Sequence, residues 1–271
     1  MRFIALILSL LIVQDVQYPP ELPPIPSPES LFRALGFPVV EDEPIDFIQG
    51  DVVTVDIMVM LASGALAGNC QAGINRINTT AINSGVATAQ TRLVKCLPTT
   101  YVSSGSVQTD LTRMVIPGDG FLDNLPAERD ASYADTTVLL TKSCDACGVG
   151  YLMSGVGSAL AVVCESCISN SSFEHEWGHN VGMQHDLPNA SGTTGYNYGW
   201  CFGNGFKDVL TYPSPCGGTR APFYSNPDII YQGKPTGTAT ANNARVLRER
   251  IAVLAGFRVP PSISPTTNHL R

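Results

Sequence analysis

The chain has 271 residues, 44% of them hydrophobic and 14% charged, so it can bury a sizeable core and does not have the composition of a disordered chain. Its formal net charge of −7 argues against the basic surfaces that bind nucleic-acid backbones. We therefore expect a folded protein without nucleic-acid partners.

The chain begins with a short apolar run. Arg2 supplies a positive charge, and residues 3–13 after it are apolar except for Ser9. This run is too short to span a bilayer but fits the core of a secretory signal peptide, which we assign to residues 1–17. The competing interpretation is a buried N-terminal strand. The signal predicts a secreted protein that is not held at a membrane once the signal is removed.

Residues 18–50 separate this signal from the predicted folded domain. Residues 18–28 contain six prolines, which predicts an extended, polyproline-like linker. Residues 29–50 are acidic and mixed in character. Neither part could form a core of its own, so we predict that residues 18–50 are a linker or a short pro-segment.

Hydrophobic patterning predicts a mixture of strands and helices from residue 51 to residue 258. Apolar and β-branched runs predict strands at residues 51–61, 89–101, 134–141, 150–153 and 159–164. Helical spacing and turn signals predict helices at residues 65–84, 110–115, 122–132, 170–183 and 241–255. The expected fold class is α/β (α+β), a twisted mixed sheet with a loop-rich C-terminal subdomain. Residues 259–271 are expected to form a flexible tail.

The spacing of three histidines is the strongest functional signal in the chain. His175 and His179 lie four residues apart on a predicted helix, so both imidazoles project from one face and can share a metal ion. Gly182 can adopt a positive φ that ends the helix and lets the chain return His185 as a third ligand. Three nitrogen ligands leave the fourth position of a tetrahedral Zn²⁺ open to water, as in catalytic zinc sites.

Glu176 follows the first ligand, and its carboxylate is predicted to face the open side of the metal as the catalytic base. Three of the chain's four histidines belong to this motif, and a chance match has a probability on the order of a few in a million. The competing interpretation is a helix with solvent-facing histidines. Ser171 and Glu174 have the S-x-x-E spacing of a capping box, which supports a helix start here.

The pattern from His175 to His185 resembles that of the metzincin zinc metallopeptidases, and Asp186 directly after it is similar to the adamalysin (reprolysin) branch. Other stretches, such as residues 221–227, resemble bacterial peptidyl-Asp metalloendopeptidases. The resemblance implies a metzincin-like metalloprotease domain over residues 51–258. It also implies a zinc-dependent endopeptidase that acts on proteins or peptides, which we expect to be a monomer.

One position departs from the family pattern. Metzincins carry a methionine in a tight turn beneath the zinc, and the matching position here is Leu210. Leucine is close to methionine in volume, so the resemblance still implies an active enzyme. The alternative is a catalytically weakened, metzincin-like binding protein. Tyr212, two residues later, is a candidate substrate-binding residue by analogy with a metzincin tyrosine, although a packed aromatic ring is the simpler interpretation.

Two further assignments concern the substrate. We expect residues 148–153, including Gly148, Gly150 and Tyr151, to form an exposed edge strand above the zinc, to which an extended peptide can add as another strand. The peptidyl-Asp resemblance implies cleavage on the N-terminal side of acidic residues, which requires a cation in the S1′ pocket. Arg220 is the candidate for that cation, and a surface or structural arginine is the competing interpretation.

The chain has eight cysteines and a predicted signal peptide, a combination that favours disulfides over thiols. Two C-x-x-C pairs also have the spacing of a zinc ribbon, which stays a competing interpretation. The residues between these pairs resemble two strands, whose ends would bring the cysteines together. We therefore favour four disulfides, the last by elimination: Cys144–Cys164, Cys147–Cys167, Cys201–Cys216 and Cys70–Cys96.

Overall fold

The computed structural model describes residue 20 and residues 22–26, 51–191, 195–203 and 205–260. The predicted signal peptide lies outside these residues, as do most of the predicted linker or pro-segment and most of the predicted tail. Among the helices of the described ranges, none has the length and apolar character needed to cross a membrane.

The secondary structure agrees closely with the sequence-based expectations. The strands of the described residues are, in chain order, β1 Ile25–Pro26, β2 Val53–Leu61, β3 Ala89–Pro98, β4 Thr136–Thr141, β5 Gly148–Leu152, β6 Leu160–Cys164, β7 Gln184–Asp186, β8 Tyr198–Gly199, β9 Cys201–Gly203, β10 Phe206–Lys207, β11 Thr219–Arg220, β12 Ile230–Tyr231 and β13 Lys234–Pro235. The α-helices are α1 Gly68–Asn83, α2 Val107–Val115, α3 Leu125–Ala131, α4 Ser172–Val181, α5 Pro213–Cys216 and α6 Asn243–Ala255. Two 3₁₀ helices cover Glu165–Asn170 and Leu187–Asn189. Each predicted element is present, with ends that differ by no more than three residues.

The largest sheet has the strand order β1-β5-β6-β4-β2-β3. Strands β3, β2, β4 and β6 run parallel to one another, whereas β5 runs antiparallel to β6. The predicted mixed sheet is therefore confirmed. The antiparallel strand β5 lies at the side of the sheet where α4, the helix that carries the first two histidines, packs.

Helices cover both faces of this sheet, as the alternation of side chains along β2 requires. Ile57 and Val59 point to one face, in a core shared with α1, α4 and α6. Met58 and Met60 point to the other face, in a second core shared with α2 and α3. Both cores hold fully buried side chains, so α4 is held on a rigid layer.

The four predicted disulfides are all present. Because none of the described cysteines is free, the zinc-ribbon interpretation is wrong. Cys144–Cys164 and Cys147–Cys167 join the start of β5 to the end of β6 and to the 3₁₀ helix before α4. The loop-rich second half contains only short strands, and Cys201–Cys216 closes a loop within it.

Helix α1 packs closely against α4 through Gly73. A Cβ atom at Gly73 would overlap the ring of Phe173, which is fully buried, whereas a Cβ at Gly68 would meet nothing within 4 Å. Replacing glycine by alanine within a helix normally stabilises the protein by about 1 kcal/mol. Overlap with Phe173 should make this replacement destabilising at Gly73 but not at Gly68.

We expect Gly73→Ala to lower the free energy of unfolding by about 1–3 kcal/mol, because the ring of Phe173 must move out of a filled core. Gly68→Ala is the matched control and should leave stability unchanged or slightly higher. Urea unfolding of both variants, with disulfides intact, measures the difference. Equal stability of the two variants would contradict the close packing of α1 on α4.

Candidate active site

Helix α4 carries two of the three histidines and ends where the sequence predicts. All ten of its residues are buried. Gly182 follows it with a φ of 117°, and its N–H donates to the carbonyl oxygens of Gly178 and His179 at 3.1 and 2.9 Å. A glycine adopts this left-handed conformation without steric cost, so the chain reverses there and returns His185 in β7.

The three imidazoles meet at one point. The Nε2 atoms of His175 and His185 are 3.1 Å apart, those of His175 and His179 are 3.1 Å apart, and those of His179 and His185 are 3.2 Å apart. All three side chains are fully buried. Their nitrogen atoms are close enough together for the three side chains to hold one metal ion.

Backbone carbonyls orient two of these rings. The Nδ1–H of His175 donates to the oxygen of Val209 at 2.7 Å, and that of His179 donates to the oxygen of Met183 at 2.8 Å. Each ring then presents the lone pair of Nε2 to the centre of the triad. Burial, His179 and the positive charge of Arg220 hold the pKa of His175 well below its usual value of 6.5, so its imidazole is in the neutral form that binds metals.

The triad fits a tetrahedral first-row metal. Metal–nitrogen distances of about 2.0–2.1 Å place neighbouring ligand nitrogens about 3.3–3.4 Å apart, close to the separations found here. Neutral imidazoles are preferred ligands of zinc, copper, iron and nickel. Three protein ligands also leave a coordination position for water or substrate, which separates this arrangement from closed structural sites.

Strand β7, which carries His185, is tied to the segment that lies beside it. The carboxylate of Asp186 accepts the N–H of Tyr212 through Oδ1 at 3.0 Å and the side-chain amide of Asn189 through Oδ2 at 2.9 Å. The same amide of Asn189 also donates to the carbonyl of Ser214 at 2.8 Å. The aspartate that follows the third histidine thus fixes the position of His185 relative to the turn beneath the site.

That turn is organised by a buried carboxylate that sequence reasoning missed. Asp208 is fully buried, and its Oδ1 accepts the N–H of Leu210 at 3.1 Å and the hydroxyl of Thr211 at 2.6 Å. Its Oδ2 accepts the N–H of Ser225 at 3.1 Å. Burial raises the pKa of Asp208 to about 7 despite these donors. An aspartate that precedes a short turn is typical of Asx turns, and that signal could have found it.

Leu210, which we aligned with the methionine of the family pattern, packs against α4. It is fully buried, and its Cδ2 would lie 3.4 Å from a Cβ at Gly178, the residue directly before His179. The sulfur of Met183 lies equally close to that position, at 3.3 Å. Met183, in the segment that follows α4, therefore also contacts α4 at this point. The surface beneath the histidines, called the floor of the site below, is therefore packed with apolar side chains, and Leu210 adds no polar group to it.

Glu176 is buried where α4 passes beneath β5. A Cβ atom at Gly148 would lie 2.7 Å from its Oε1, and a Cβ at Gly150 would lie 2.6 Å from its backbone oxygen. These two predicted substrate residues therefore let the backbone of β5 approach the helix. The amide of Asn180 donates to the carbonyls of Tyr151 and Leu160 at 2.9 and 3.0 Å, which fixes this approach.

The remaining predicted substrate residues lie in different places. The ring of Tyr212 packs on His185 with a centroid separation of 4.0 Å. The side chain of Tyr151 is buried in the second core, so it is directed away from α4. Arg220 lies at the N-terminal end of α4, where it donates to the carbonyl oxygens of Asn170 and Thr211 at 3.2 and 3.4 Å.

The predicted capping box is wrong. The side chain of Ser171 makes no cap to α4, and this residue has a φ of 71°. Its hydroxyl accepts a hydrogen bond from Arg76 at 2.7 Å, and the fully buried carboxylate of Glu174 pairs with the same guanidinium at 2.8 Å. A charged partner on α1 is a stronger hydrogen-bond donor than a backbone N–H, so tertiary contact replaced the local cap.

The prediction of an exposed edge strand is also wrong as stated. Strand β5 lies outside β6, but its outer side pairs in parallel with β1, with Ile25 opposite Tyr151 and Pro26 opposite Leu152. The proline-rich composition of this segment predicted an extended, polyproline-like linker. A backbone without many N–H groups can nevertheless cover a sheet edge, because an edge position does not require hydrogen bonds on both sides.

Comparison with known proteins shows that the chain is similar in sequence to peptidases. The chain is 33% identical over 224 residues to a peptidyl-Asp metalloendopeptidase of Xanthomonas campestris, a match that covers 77% of this chain and 53% of that protein. It is 32% identical over 257 residues to a peptidyl-Asp metalloendopeptidase of Stenotrophomonas maltophilia, covering 87% of this chain and 61% of the relative. The chain thus spans only about half to three fifths of the length of these relatives.

A solved structure described as a chaperone–substrate complex matches with a TM-score of 0.60 at 18% identity, over 78% of this chain and 36% of that one, and shows similarity of fold alone. The sequence model of metallo-peptidase family M12 matches residues 51–219, which is more than half of the chain and includes all three histidines and Glu176. The metzincin-like resemblance is thereby confirmed, and the chain belongs to the M12 family of metallopeptidases.

Proposed function

We propose that the protein is a secreted zinc-dependent endopeptidase that cleaves peptide bonds on the N-terminal side of acidic residues. The observation that carries this proposal is the buried triad of Nε2 atoms with Glu176 beside its first ligand. The donor set fits zinc, and family membership supports a peptidase. The similar proteins share the name peptidyl-Asp metalloendopeptidase, which supports the preference for acidic residues.

In this proposal His175, His179 and His185 hold the zinc. A bound Zn²⁺ would supply Lewis acidity, polarising the scissile carbonyl and lowering the pKa of water. Glu176 accepts the proton of the attacking water and passes it to the leaving amine. Its burial beneath β5 restricts water around the carboxylate, which strengthens its electrostatic interactions with the reacting groups.

The backbone of β5 is the proposed binding edge for an extended peptide. Gly148 and Gly150 lie directly over Glu176, and the N–H of Met153 donates to the carbonyl of His179 at 2.8 Å, so the strand follows the helix past the metal ligands. A peptide that takes the place of β1 on this strand would be held by main-chain hydrogen bonds with little sequence demand. Tyr212 supports the site by packing on His185.

An acidic substrate side chain would be recognised at Arg220. A cavity of about 330 Å³ at the N-terminal end of α4 is lined by two guanidinium groups, those of Arg76 and Arg220, and by the carboxylate of Glu174. Glu174 neutralises Arg76, with which it forms an ion pair. The positive charge of Arg220 therefore dominates this side of the site, and a guanidinium suits planar recognition of a carboxylate.

Secretion is supported by the four disulfides, which form and persist in oxidising compartments. The predicted signal at residues 1–17, outside the described part of the chain, is the segment that would direct export. We propose that the exported protein acts as a monomer on protein or peptide substrates.

Glu176→Gln tests the proposed base. The variant should bind one zinc per chain, but its kcat should fall about 10²–10⁴-fold, because an amide cannot accept the proton. Metal content by mass spectrometry and cleavage of a peptide library by the wild type and the variant are the measurements. A variant that keeps its activity would refute the role of Glu176. A wild type that binds zinc but cleaves no peptide would favour the weakened binding protein.

His179→Ala tests the metal site. Removal of one of three ligands should abolish stoichiometric zinc binding and activity together, and a chelator should have the same effect on the wild type. His269, the histidine outside the motif, provides the matched control. His269→Ala should keep both zinc and activity, and loss of zinc in this control would contradict the assigned ligand set.

Arg220→Gln tests the acidic preference. The variant should lose about 10–100-fold in kcat/KM for peptides with aspartate at P1′, as expected for one charged hydrogen bond, and change little for peptides with asparagine there. Arg220→Lys keeps the charge and should recover part of the preference. If both peptides lose equally in Arg220→Gln, this arginine has a structural role and the cation of the pocket lies elsewhere.

A further inference from the structure

A cavity at the C-terminal end of α4 has no role in the proposed mechanism. Its volume is about 310 Å³. It lies where the end of β5, the glycine that ends α4, the residues before β8 and helix α6 meet. Its lining includes Met153, Gly182, Tyr196, Val246, Glu249 and Arg250. The cavity is therefore at the opposite end of the metal-binding helix from Arg220.

Arg250 of α6 joins the two elements that border this cavity. Its Nε donates to the carbonyl of Val181 at 2.7 Å, and its Nη2 donates to the carbonyl of Ser154 at 3.3 Å. The N–H of Ser154 in turn donates to the carbonyl of Asn180 at 3.0 Å. A cation at the end of a helix is favoured by the carbonyls that lack helical partners. The end of β5 is thus held on the end of α4, directly beside the cavity.

The other charged group of the cavity also has partners. The carboxylate of Glu249 pairs with Arg245 at 2.6 Å and accepts the hydroxyl of Tyr196. The guanidinium of Arg245 lies over the ring of Tyr196, 3.8 Å from its centroid. The tyrosine ring is therefore held at its hydroxyl and on one face, so it forms a fixed wall of the cavity.

Apolar side chains supply the rest of the lining. Met153, at the end of β5, is 44% exposed, and its Cε would lie 3.3 Å from a Cβ at Gly182. The thioether therefore reaches across from the strand to the end of the helix. Val246 of α6 is buried and adds a second aliphatic surface. A flexible methionine beside an aromatic ring suits contact with apolar groups of varied shape.

The direction of a bound peptide follows from the place of Arg220. In the proposed function, the acidic residue after the scissile bond reaches Arg220 at the N-terminal end of α4. Strand β5 runs along α4 in the same direction, from Gly148 over Glu176 to Met153 over His179. The residues before the scissile bond therefore extend toward the C-terminal end of α4, antiparallel to β5.

The length of the helix indicates which residue reaches the cavity. Six residues separate Glu176, beside the scissile bond, from Gly182 at the cavity. This part of α4 is about 9 Å long, the length of about three residues of extended peptide.

From this geometry we propose that the cavity is a specificity site for an apolar side chain at the third residue before the scissile bond. The inference rests on the proposed function, because Arg220 sets the direction of the peptide. An apolar side chain placed between Met153 and Tyr196 is removed from water, whereas a serine hydroxyl gains little there. The two ends of α4 would then recognise side chains on opposite sides of the scissile bond, one acidic and one apolar.

The test uses the full chain with zinc and two peptides that differ at one position. Both carry aspartate directly after the scissile bond, and the third residue before that bond is leucine or serine. The wild type should cleave the leucine peptide with a kcat/KM about tenfold higher than the serine peptide. Met153→Asn should bring this ratio close to one, and asparagine tolerates the φ of 51° at this position.

Val156→Asn is the matched control. Val156 is 50% exposed, similar to Met153, and lies outside the lining of the cavity. This variant should keep the ratio of the wild type. All variants should bind one zinc per chain, since neither position is a metal ligand.

Met153→Ala changes the size of the cavity without adding a polar group. The shorter side chain leaves room for a larger partner, so kcat/KM for a peptide with tryptophan at the third residue should rise relative to the leucine peptide. We expect that ratio to increase about three- to tenfold over the wild type. If Met153 only supported β5, its replacement would lower kcat/KM for all peptides by one factor and would not change these ratios.

Equal cleavage of the leucine and serine peptides by a wild type that still requires aspartate after the bond would overturn the specificity site alone. An equal loss on both peptides in Met153→Asn would also overturn it, because Met153 would then only position β5. Failure of the proposed function has a different result: the wild type binds zinc and cleaves neither peptide, and the inference fails with it.

Discussion

The hydrogen bond from His175 to the carbonyl of Val209 is the contact on which the rest of the site depends. It fixes the ring whose Nε2 lies 3.1 Å from the Nε2 atoms of both His179 and His185. Two contacts hold this carbonyl in place: the carboxylate of Asp208 accepts from Leu210, Thr211 and Ser225, and the N–H of Val209 donates to the oxygen of Phe223 at 3.0 Å. Burial of the Asp208 carboxylate carries a desolvation cost, which its raised pKa reflects. Such a cost is tolerated where the histidine rings must be positioned to a fraction of an ångström.

The floor of the site shows how a departure from a family pattern can be accommodated. Leu210 and Met183 both lie against the position of Gly178, so the apolar surface beneath the histidines is shared between two segments of chain. The shape of the floor is then set by the pair and not by one side chain. Replacing methionine by leucine changes the volume little, and the backbone of the turn is held independently by Asp208.

The sequence predicted those features that depend on local spacing. The i, i+4 histidines, the glycine that ends α4, the alternating strands and the cysteine pairs all follow from periodicity and chain distance. It failed where distant segments meet. Glu174 has the local spacing of a cap, yet Arg76 from α1, 98 residues away, takes its carboxylate. The covering of β5 by a proline-rich segment likewise depends on a long-range contact that composition does not encode. Asp208 shows a third kind of failure, since its place before a turn indicates an Asx turn, but its burial is what shows that it organises the turn beneath the site.

The bridges Cys144–Cys164 and Cys147–Cys167 surround the place where β5 begins, β6 ends and the chain turns toward α4. They are the covalent ties between the strand proposed to bind substrate and the approach to the metal-binding helix. In a reducing cytosol these ties would be open, and the loops they close would regain their conformational freedom. Assembly of the site is thereby coupled to the redox state of the compartment in which the chain folds. Under the proposed function, the cell that makes this chain would be protected from it until oxidation accompanies export.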